Sequence, residues 1–555
     1  MTDQRQADLQ AVRENPQIPV LILGGGVNGV GLLRELALQG VDCLLVDKAD
    51  FVAGSSSKSS RMIHGGLRYL ENREVALVRE SLYERNRLLD NAPHYVAPLR
   101  TTIPLFSWLG GLVRSTLIFF GLNIRPGGRG AAIVKLGLTF YDLVTRKDRR
   151  TPRHFFTSRR QSLAELPGLH PGIVATASYW DAKITQPERL CMELIQDARA
   201  ASPACRALNY VRPVRVEYGS VLLRDEETGE ELPVQPQIVV NATGAWVDIA
   251  NRALGLHTEF MGGTKGSHLV IDHPELLAAL DGRMIYYQHT DGRVCITYPI
   301  DGKILMGSTD IRVDDPDAAR CEPDEIEYML STLRDVFPDI GVAREHILYT
   351  FCGVRPLPAS KSGVTATISR GHTIHVLEPK GEGPPFPVVC LVGGKWTTFR
   401  ALAEQTADKL LPRLSAERRT ATDGIPIGGG RDYPEDPAAW VARVAEETGT
   451  SRERVEVLLG RYGTAAATWA QSDGEPLQSL PDYTTGEVRR LAAEQVVHLD
   501  DLICRRSTIA ILGQATKEAL AELAALVGEA LGWDEGRRQA EVARALEDVR
   551  VPASS

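Results

Sequence analysis

The sequence predicts an α/β fold in three parts: a parallel-sheet domain begun by a βαβ unit, an antiparallel sheet inserted into it, and a helical C-terminal domain. Three observations predict it. An apolar run, a glycine-rich turn and an amphipathic stripe follow one another near the start of the chain. Short β-branched runs punctuated by turns fill the middle, and beyond residue 425 the pattern is helical. At 555 residues the chain is too long for one core, so two or three domains are expected.

Residues 1–17 are polar and mixed in charge, lack the apolar run of a secretory signal, and read as a frayed leader. Residues 19–23 form the first strand, 24–31 the turn, 32–39 a helix and 41–47 the second strand. Leu32, Leu33, Leu36 and Ala37 give that helix its apolar face, and Gly40 closes it. Residues 51–69 have the Ser/Gly/Lys/Arg composition of a loop, and 71–89 are patterned as a helix.

The longest apolar stretch, 105–122, is interrupted by Arg114. It falls short of the ~20 residues of a spanning helix, and its arginine would add ~3 kcal/mol to insertion. It is not read as transmembrane. Between about 200 and 380, the runs 237–240, 267–271, 294–298 and 303–306, with turns at Asp291-Gly292 and Asp301-Gly302, read as an antiparallel sheet. Residues 379–387 form a surface loop. Gly428-Gly429-Gly430 and Pro434 mark a linker. Beyond it Thr484 and Glu487 make a capping box, and Leu520, Leu523, Ala524 and Val527 share one helical face.

Apolar residues make up 43% and charged residues 24%, which fits a globular chain. A net charge of -8 gives no support to nucleic acid as a partner. The eight cysteines form no CxxC pair, so neither a metal site nor a disulfide framework is expected, and reduced thiols in the cytoplasm are the default.

Gly24-x-Gly26-x-x-Gly29 follows a strand and opens a helix, as dinucleotide binding requires. The first glycine makes the turn, the second lets the backbone approach a pyrophosphate, and the third allows close packing. Asp47 ends the next strand, where it can accept from a ribose. The signature leaves NAD and FAD open. Two later pieces favour FAD. Residues 239–244, ending Asn241-Ala242-Thr243-Gly244, are similar to the second dinucleotide contact of two-dinucleotide-binding-domain flavoproteins. Residues 392–398, with Gly394, Lys395 and Thr397, resemble the segment that covers the isoalloxazine in such proteins. No second GxGxxG follows a strand, so no nicotinamide site is expected. A substrate must then reduce the flavin directly, and the electrons must pass to another acceptor.

The block Ser55-Ser56-Ser57-Lys58-Ser59-Ser60-Arg61-Met62-Ile63-His64-Gly65-Gly66-Leu67-Arg68-Tyr69-Leu70-Glu71 resembles the flavin-dependent, respiratory, quinone-reducing glycerol-3-phosphate dehydrogenases. Asn241–Trp246, Lys265-Gly266-Ser267-His268, Gly307-Ser308-Thr309-Asp310, Gly353-Val354-Arg355-Pro356-Leu357 and Gly393–Thr398 follow in that family's order. His498-Leu499-Asp500-Asp501-Leu502 with Arg505-Arg506 resembles its helical C-terminal module. The resemblance spans about 18–545. It implies a Rossmann-like FAD-binding domain with an inserted antiparallel-sheet cap domain and a helical C-terminal domain. The oxidoreductase region is then 18–425, with FAD-binding segments about 18–90, 160–260 and 350–415, and the C-terminal domain is 426–555.

The implied reaction is oxidation of sn-glycerol 3-phosphate to dihydroxyacetone phosphate by hydride transfer to FAD, with a membrane quinone as acceptor. Two departures from the family are visible. Asp181 stands in a segment, 180–189, where the family usually shows paired aspartates, and 106–130 is longer and more apolar than in shorter members. Another polyol phosphate, such as erythritol phosphate, and an oxygen-using oxidase stay open as alternatives. An amino-acid oxidase-like enzyme and a non-enzymatic flavin sensor rank below them, because neither needs a cluster of cations.

The resemblance implies Lys265, Arg355 and Arg370 at the phosphate end, with Arg68 and Lys395 nearer the hydroxyls and flavin. Arginine's planar fork suits a phosphate best. His268 is the first choice of base and His64 the second. FAD contacts are expected from Gly24, Gly26, Asn28, Gly29, Asp47, Ser55, Ser56, Ser60, His64, Gly65, Gly66, Ala242, Thr243, Gly244, Gly394, Lys395 and Thr397. Phe106, Trp108, Leu109 and the apolar residues that follow, punctuated by Arg114, Arg125, Arg129 and Lys135, read as an interfacial segment. That places the enzyme peripherally on the inner, cytoplasmic face of a membrane. A homodimer is left open.

Overall fold

The computed structural model describes residues 4–66, 74–110, 130–359, 370–381 and 383–553. Its first sheet is built on five parallel strands in the order Arg206–Leu208, Cys43–Val46, Gln17–Leu23, Glu231–Asn241 and Val388–Gly393, with His372–Leu377 antiparallel at the edge. Alternation along each strand divides its side chains between two cores. Val20, Ile22, Leu45, Val240 and Leu391 face the helices Val27–Leu38, Pro187–Ala201 and Phe399–Leu410. Leu21, Leu23, Leu44, Val46 and Val239 face the other layer, which includes Leu9 and Val12.

Residues 237–240, read above as part of an antiparallel sheet, lie in Glu231–Asn241, which runs parallel to the first strand. The apolar run within them, 238–240, is the signature of a strand covered on both faces, and that does not reveal direction. The N-terminal segment is not a frayed leader. Gln4–Glu14 is a helix that buries Leu9 and Val12 at a three-residue spacing. Its polar side chains are tied in as well: Arg5 pairs with Asp225 at 2.8 Å and Asp8 with Arg199 at 2.5 Å.

Among the described residues the second sheet holds ten strands, largely antiparallel, eight of them in the order Ile311–Arg312, Thr264–Ile271, Lys303–Gly307, Val294–Ile300, Met284–Gln288, Val96–Leu105, Ala175–Ile184 and Met62–Ile63. Ile347–Arg355 pairs with Thr264–Ile271, and Phe155–Ser158 with Ala175–Ile184. Ala175–Ile184 therefore pairs in this sheet although it falls within the segment 160–260 assigned above to the FAD-binding domain, and Ile347–Arg355, which runs into the segment 350–415, does the same. Asp301 and Gly302 both take positive φ in the hairpin between Val294–Ile300 and Lys303–Gly307, as a tight two-residue turn requires.

The C-terminal helices Pro437–Thr448, Arg452–Tyr462, Thr485–Ala492, Lys517–Leu531 and Glu535–Asp548 surround their own core, in which Leu520, Leu523, Ala524 and Val527 are buried. The capping box at Thr484 is half made. Thr484 Oγ1 accepts from the Glu487 amide, but the Glu487 carboxylate instead takes Arg454, Arg461 and Tyr462. The glycine triplet is not a loose linker either. Gly429 and Gly430 are buried, and a Cβ on Gly429 would lie 2.0 Å from the Tyr462 carbonyl oxygen. This domain also grips the segment that follows strand Cys43–Val46: Arg506 forms two bonds to the buried Asp50 carboxylate at 2.8 Å, and Arg505 a third.

Candidate active site

Two clefts meet at Val27, Asn28, Ser55, Ser56, Lys58, Gly353 and Pro356. The first, of about 390 Å³, lies at the carboxyl ends of the parallel strands, where open α/β sheets bind their ligands. Its glycines have distinct reasons to be there. Gly24 takes φ +103°, and a Cβ on it would lie 2.7 Å from the Ala242 carbonyl oxygen. A Cβ on Gly29 would lie 1.8 Å from the Gly24 carbonyl oxygen, so the third glycine serves the turn itself. At Gly26 the nearest neighbour would be Ser56 Oγ at 3.1 Å, so a side chain there would occupy the cleft rather than the protein.

Helix Val27–Leu38 opens on this cleft, and Ser56 Oγ accepts from its first amide at 2.9 Å. The Asp47 carboxylate accepts from the Gly25 amide at 2.6 Å and the Ala49 amide at 2.9 Å; burial nevertheless raises its pKa to about 6. Ala242, Thr243 and Gly244 line the far wall, and Lys48 lies 4.8 Å from the centre of the Trp246 ring at the mouth. The Asn28 Oδ1 atom is buried at the junction and has no hydrogen-bond partner among the described residues. A group with donors to offer would complete it.

The second cleft, of about 350 Å³, lies between the two sheets. Its wall holds Ser60, His64, His268, Ser308, Arg355, Arg370, Gly394, Lys395 and Thr397. Among the described lining residues there are four cations, Lys58, Arg355, Arg370 and Lys395, and no carboxylate. The Arg355 guanidinium is held by Ser308 Oγ at 2.8 Å, the Thr309 and Lys265 carbonyls and the Asp310 carboxylate at 3.2 Å. His268 is stacked on Phe351, with Nε2 2.8 Å from Ser60 Oγ and Nδ1 buried without a partner among the described residues. Burial first, then Arg355 and Arg61, push its pKa down to about 3, so the imidazole is neutral. His64 is likewise driven well down by burial and by Lys395. Burial also lowers the Lys395 ammonium to about 7.

Lys265 is not at this site. On the strand Thr264–Ile271 alternate residues face opposite sides: Gly266 and His268 line the cleft, whereas Lys265 and Ser267 point away from it. The Lys265 ammonium lies 2.7 Å from the Glu325 carboxylate and donates to the Arg320 carbonyl. Ser267 and Thr309 donate to the same carboxylate. Gly65 and Gly66 are buried behind the cleft rather than lining it, and Gly65 packs against Tyr141. Ser55 lines both clefts and donates to the Val354 carbonyl. Arg68 and residues 111–129 lie outside the described residues. Lys58 and Ser308 were not singled out in the sequence, although both stand inside quoted motifs. A cation at the centre of a serine loop and a hydroxyl facing an arginine were the available signals.

Residues 19–408 match the family model described as FAD dependent oxidoreductase, and 420–538 match the C-terminal domain of alpha-glycerophosphate oxidase. The glycerol-3-phosphate dehydrogenase of Synechocystis sp. is 33% identical over 556 residues, 94% of each chain. The mitochondrial glycerol-3-phosphate dehydrogenase of Mus musculus is 28% identical over 97% of this chain and 74% of its own. The fold is that of the glycerol-3-phosphate dehydrogenase of Bacillus halodurans, solved in complex with FAD, at a TM-score of 0.74 and 20% identity over 99% and 97% of the two chains.

Proposed function

Because the chain belongs to the family of flavin-dependent glycerol-3-phosphate dehydrogenases, which are FAD-dependent enzymes, we propose that it oxidises the secondary hydroxyl of sn-glycerol 3-phosphate to give dihydroxyacetone phosphate. The observation that carries the choice of substrate is the charge of the second cleft: four cations and no carboxylate among its described lining residues. A dianion gains most from such a wall.

The first cleft fits a dinucleotide. The glycine turn leaves room for a pyrophosphate at Gly26, the start of helix Val27–Leu38 favours its charge, and Asp47 is placed for a ribose. FAD held by the first cleft would supply the hydride acceptor. Arg355 holds the phosphate, with Arg370 and Lys58 contributing charge. Pinning by Ser308 and Asp310 fixes the Arg355 fork before substrate arrives, which lowers the entropy lost on binding. His268 takes the hydroxyl proton at Nε2, beside Ser60. A bound phosphate offsets Arg355, the charged neighbour that most depresses His268, so the substrate itself raises the basicity of its base. Lys395 stabilises the developing oxyanion.

The electrons leave to a membrane quinone. Support for a membrane surface comes from Phe106, Trp108, Leu109, Leu136 and Leu143, which are exposed, Leu136 to 75%. The chain on either side of residues 111–129 is brought together there, the Gly130 amide donating to the Gly110 carbonyl at 2.7 Å. Among the described residues no helix is long and apolar enough to cross a membrane, which suits a surface attachment. Sedimentation with anionic liposomes at low salt should carry the protein down, and Trp108→Ser with Leu136→Ser should leave it in the supernatant. A wild type that never sediments removes the membrane from this reading. The reaction itself is tested by anaerobic mixing with glycerol 3-phosphate, erythritol phosphates, glycine and D-alanine. Bleaching of the flavin by an amino acid alone would overturn it.

A further inference from the structure

The Lys395 ammonium donates to the His64 carbonyl at 3.0 Å, the Gly65 carbonyl at 3.5 Å and Ser81 Oγ at 2.9 Å. The peptide that presents the His64 carbonyl to Lys395 also carries the Gly65 N–H, on its opposite side. That N–H donates to Tyr141 Oη at 3.0 Å and to Asp181 Oδ1 at 3.2 Å. Tyr141 donates its own proton to the same carboxylate oxygen, and Arg85 neutralises the carboxylate from 3.2 Å. Asp181, Arg85 and Tyr141 are all buried. One peptide group is thus clamped on its donor side by a buried acid and a phenol, and on its acceptor side by a cation of the second cleft.

We propose that Asp181 and Tyr141 are positioning residues for Lys395, acting through the His64–Gly65 peptide. Two effects follow from the geometry. Donors and acceptors joined through one amide polarise each other, so holding the N–H strengthens and aims the carbonyl that receives the ammonium. The negative charge of Asp181 also favours a charged Lys395 against the burial that opposes it. The other charged groups facing Lys395 are Glu74 and Glu80, which act in the same direction, and Arg370, which acts against; His64, beside it, is held neutral. Gly65 is required here because a Cβ would lie 2.4 Å from Tyr141 Oη. The segment in which the aspartate pattern departs from the family therefore acts from behind the cleft, since neither Asp181 nor Trp180 lines it.

This inference rests on the proposed role of Lys395, so its test uses a readout that needs no substrate. The holoenzyme is labelled with a small amine-reactive reagent across pH 5 to 10, and modification of Lys395 is followed by mass spectrometry. Asp181→Asn should move the labelling midpoint of Lys395 to lower pH by about one pH unit. Tyr141→Phe, which removes one hydroxyl and leaves the carboxylate paired with Arg85, keeps the test sound if the aspartate variant does not fold. It should move the midpoint in the same direction by less. In both variants reduction of the flavin by glycerol 3-phosphate should slow about tenfold at saturation, with KM little changed. Midpoints and rates equal to wild type in Tyr141→Phe would overturn the proposal. A wild-type flavin that no polyol phosphate reduces, with variant midpoints that still shift as stated, would overturn the substrate reading and leave the positioning role standing.

Discussion

The two joined clefts are built in different ways. The first is made mostly of backbone: a turn that tolerates no Cβ at Gly24 or Gly29, a helix start, and the ends of parallel strands. The second is made of side chains collected from distant stretches of chain, among them the serine loop, the two strands that carry His268 and Arg355, the turn at Ser308, and the segment around Lys395. A backbone site is specified locally and fails as a whole when its geometry is broken. A side-chain site is specified by sheet pairing, and each of its members can be removed without losing the fold.

That contrast can be broken most severely in the first cleft. Gly29→Ala places a Cβ 1.8 Å from a backbone oxygen, and with no flexible neighbour to give way it should cost more than ~3 kcal/mol and yield no folded flavoprotein. Gly26→Ala meets only a serine hydroxyl, so it should fold with nearly unchanged far-UV circular dichroism but retain little flavin. A Gly26→Ala protein that purified fully yellow would show that this turn is not where the pyrophosphate lies. In the second cleft, Arg355→Ala should lower kcat/KM by about 2–4 kcal/mol of transition-state binding while the protein keeps its flavin. Lys265→Met, one strand residue from the cleft wall, should do the reverse. It leaves the Glu325 carboxylate without its cation and destabilises by about 3 kcal/mol, with KM within twofold of wild type. Thermal unfolding and steady-state kinetics on the pair would reverse the assignment if Lys265→Met raised KM as Arg355→Ala does.

The smallest of these effects is a pH dependence. The pKa of His268 is lowered in the folded protein to about 3, against ~6.5 unfolded, so its contribution to stability is fully present above pH ~6.5 and is lost as pH falls toward 3. Between pH 6.5 and 5 the loss amounts to ~2 kcal/mol. His268→Asn removes the titration, so its urea midpoint should fall less between those two pH values than that of the wild type. Parallel losses would mean that His268 is not held neutral.

Glycine spacing made the first cleft legible in the sequence, because Gly24, Gly26 and Gly29 answer to constraints within a few residues of one another. The second cleft was legible through resemblance and misread where register decides. Lys265 and His268 sit in one four-residue motif, yet only His268 faces the cleft, because three residues along a strand reverse the face. The direction of Glu231–Asn241 was invisible for a related reason: its last four residues, 238–241, are buried on both faces and leave no alternation to read there. The N-terminal helix was missed because its polar residues are paired with partners some 190 to 220 residues away, Asp8 with Arg199 and Arg5 with Asp225. The clamp behind Lys395 escaped notice because Asp181, Tyr141 and Arg85 come from three separate elements and meet only in the fold, at the Asp181 carboxylate.

The central claim is that the second cleft is a phosphate site serving oxidation of the neighbouring hydroxyl. It is tested most directly by rapid anaerobic mixing of the flavin-loaded protein with glycerol 3-phosphate or with free glycerol, following flavin absorbance. Fast bleaching by glycerol 3-phosphate and none by glycerol at the same concentration is the expected result, since binding the remote phosphate supplies the orientation on which the reaction depends. Equal bleaching by both would contradict it.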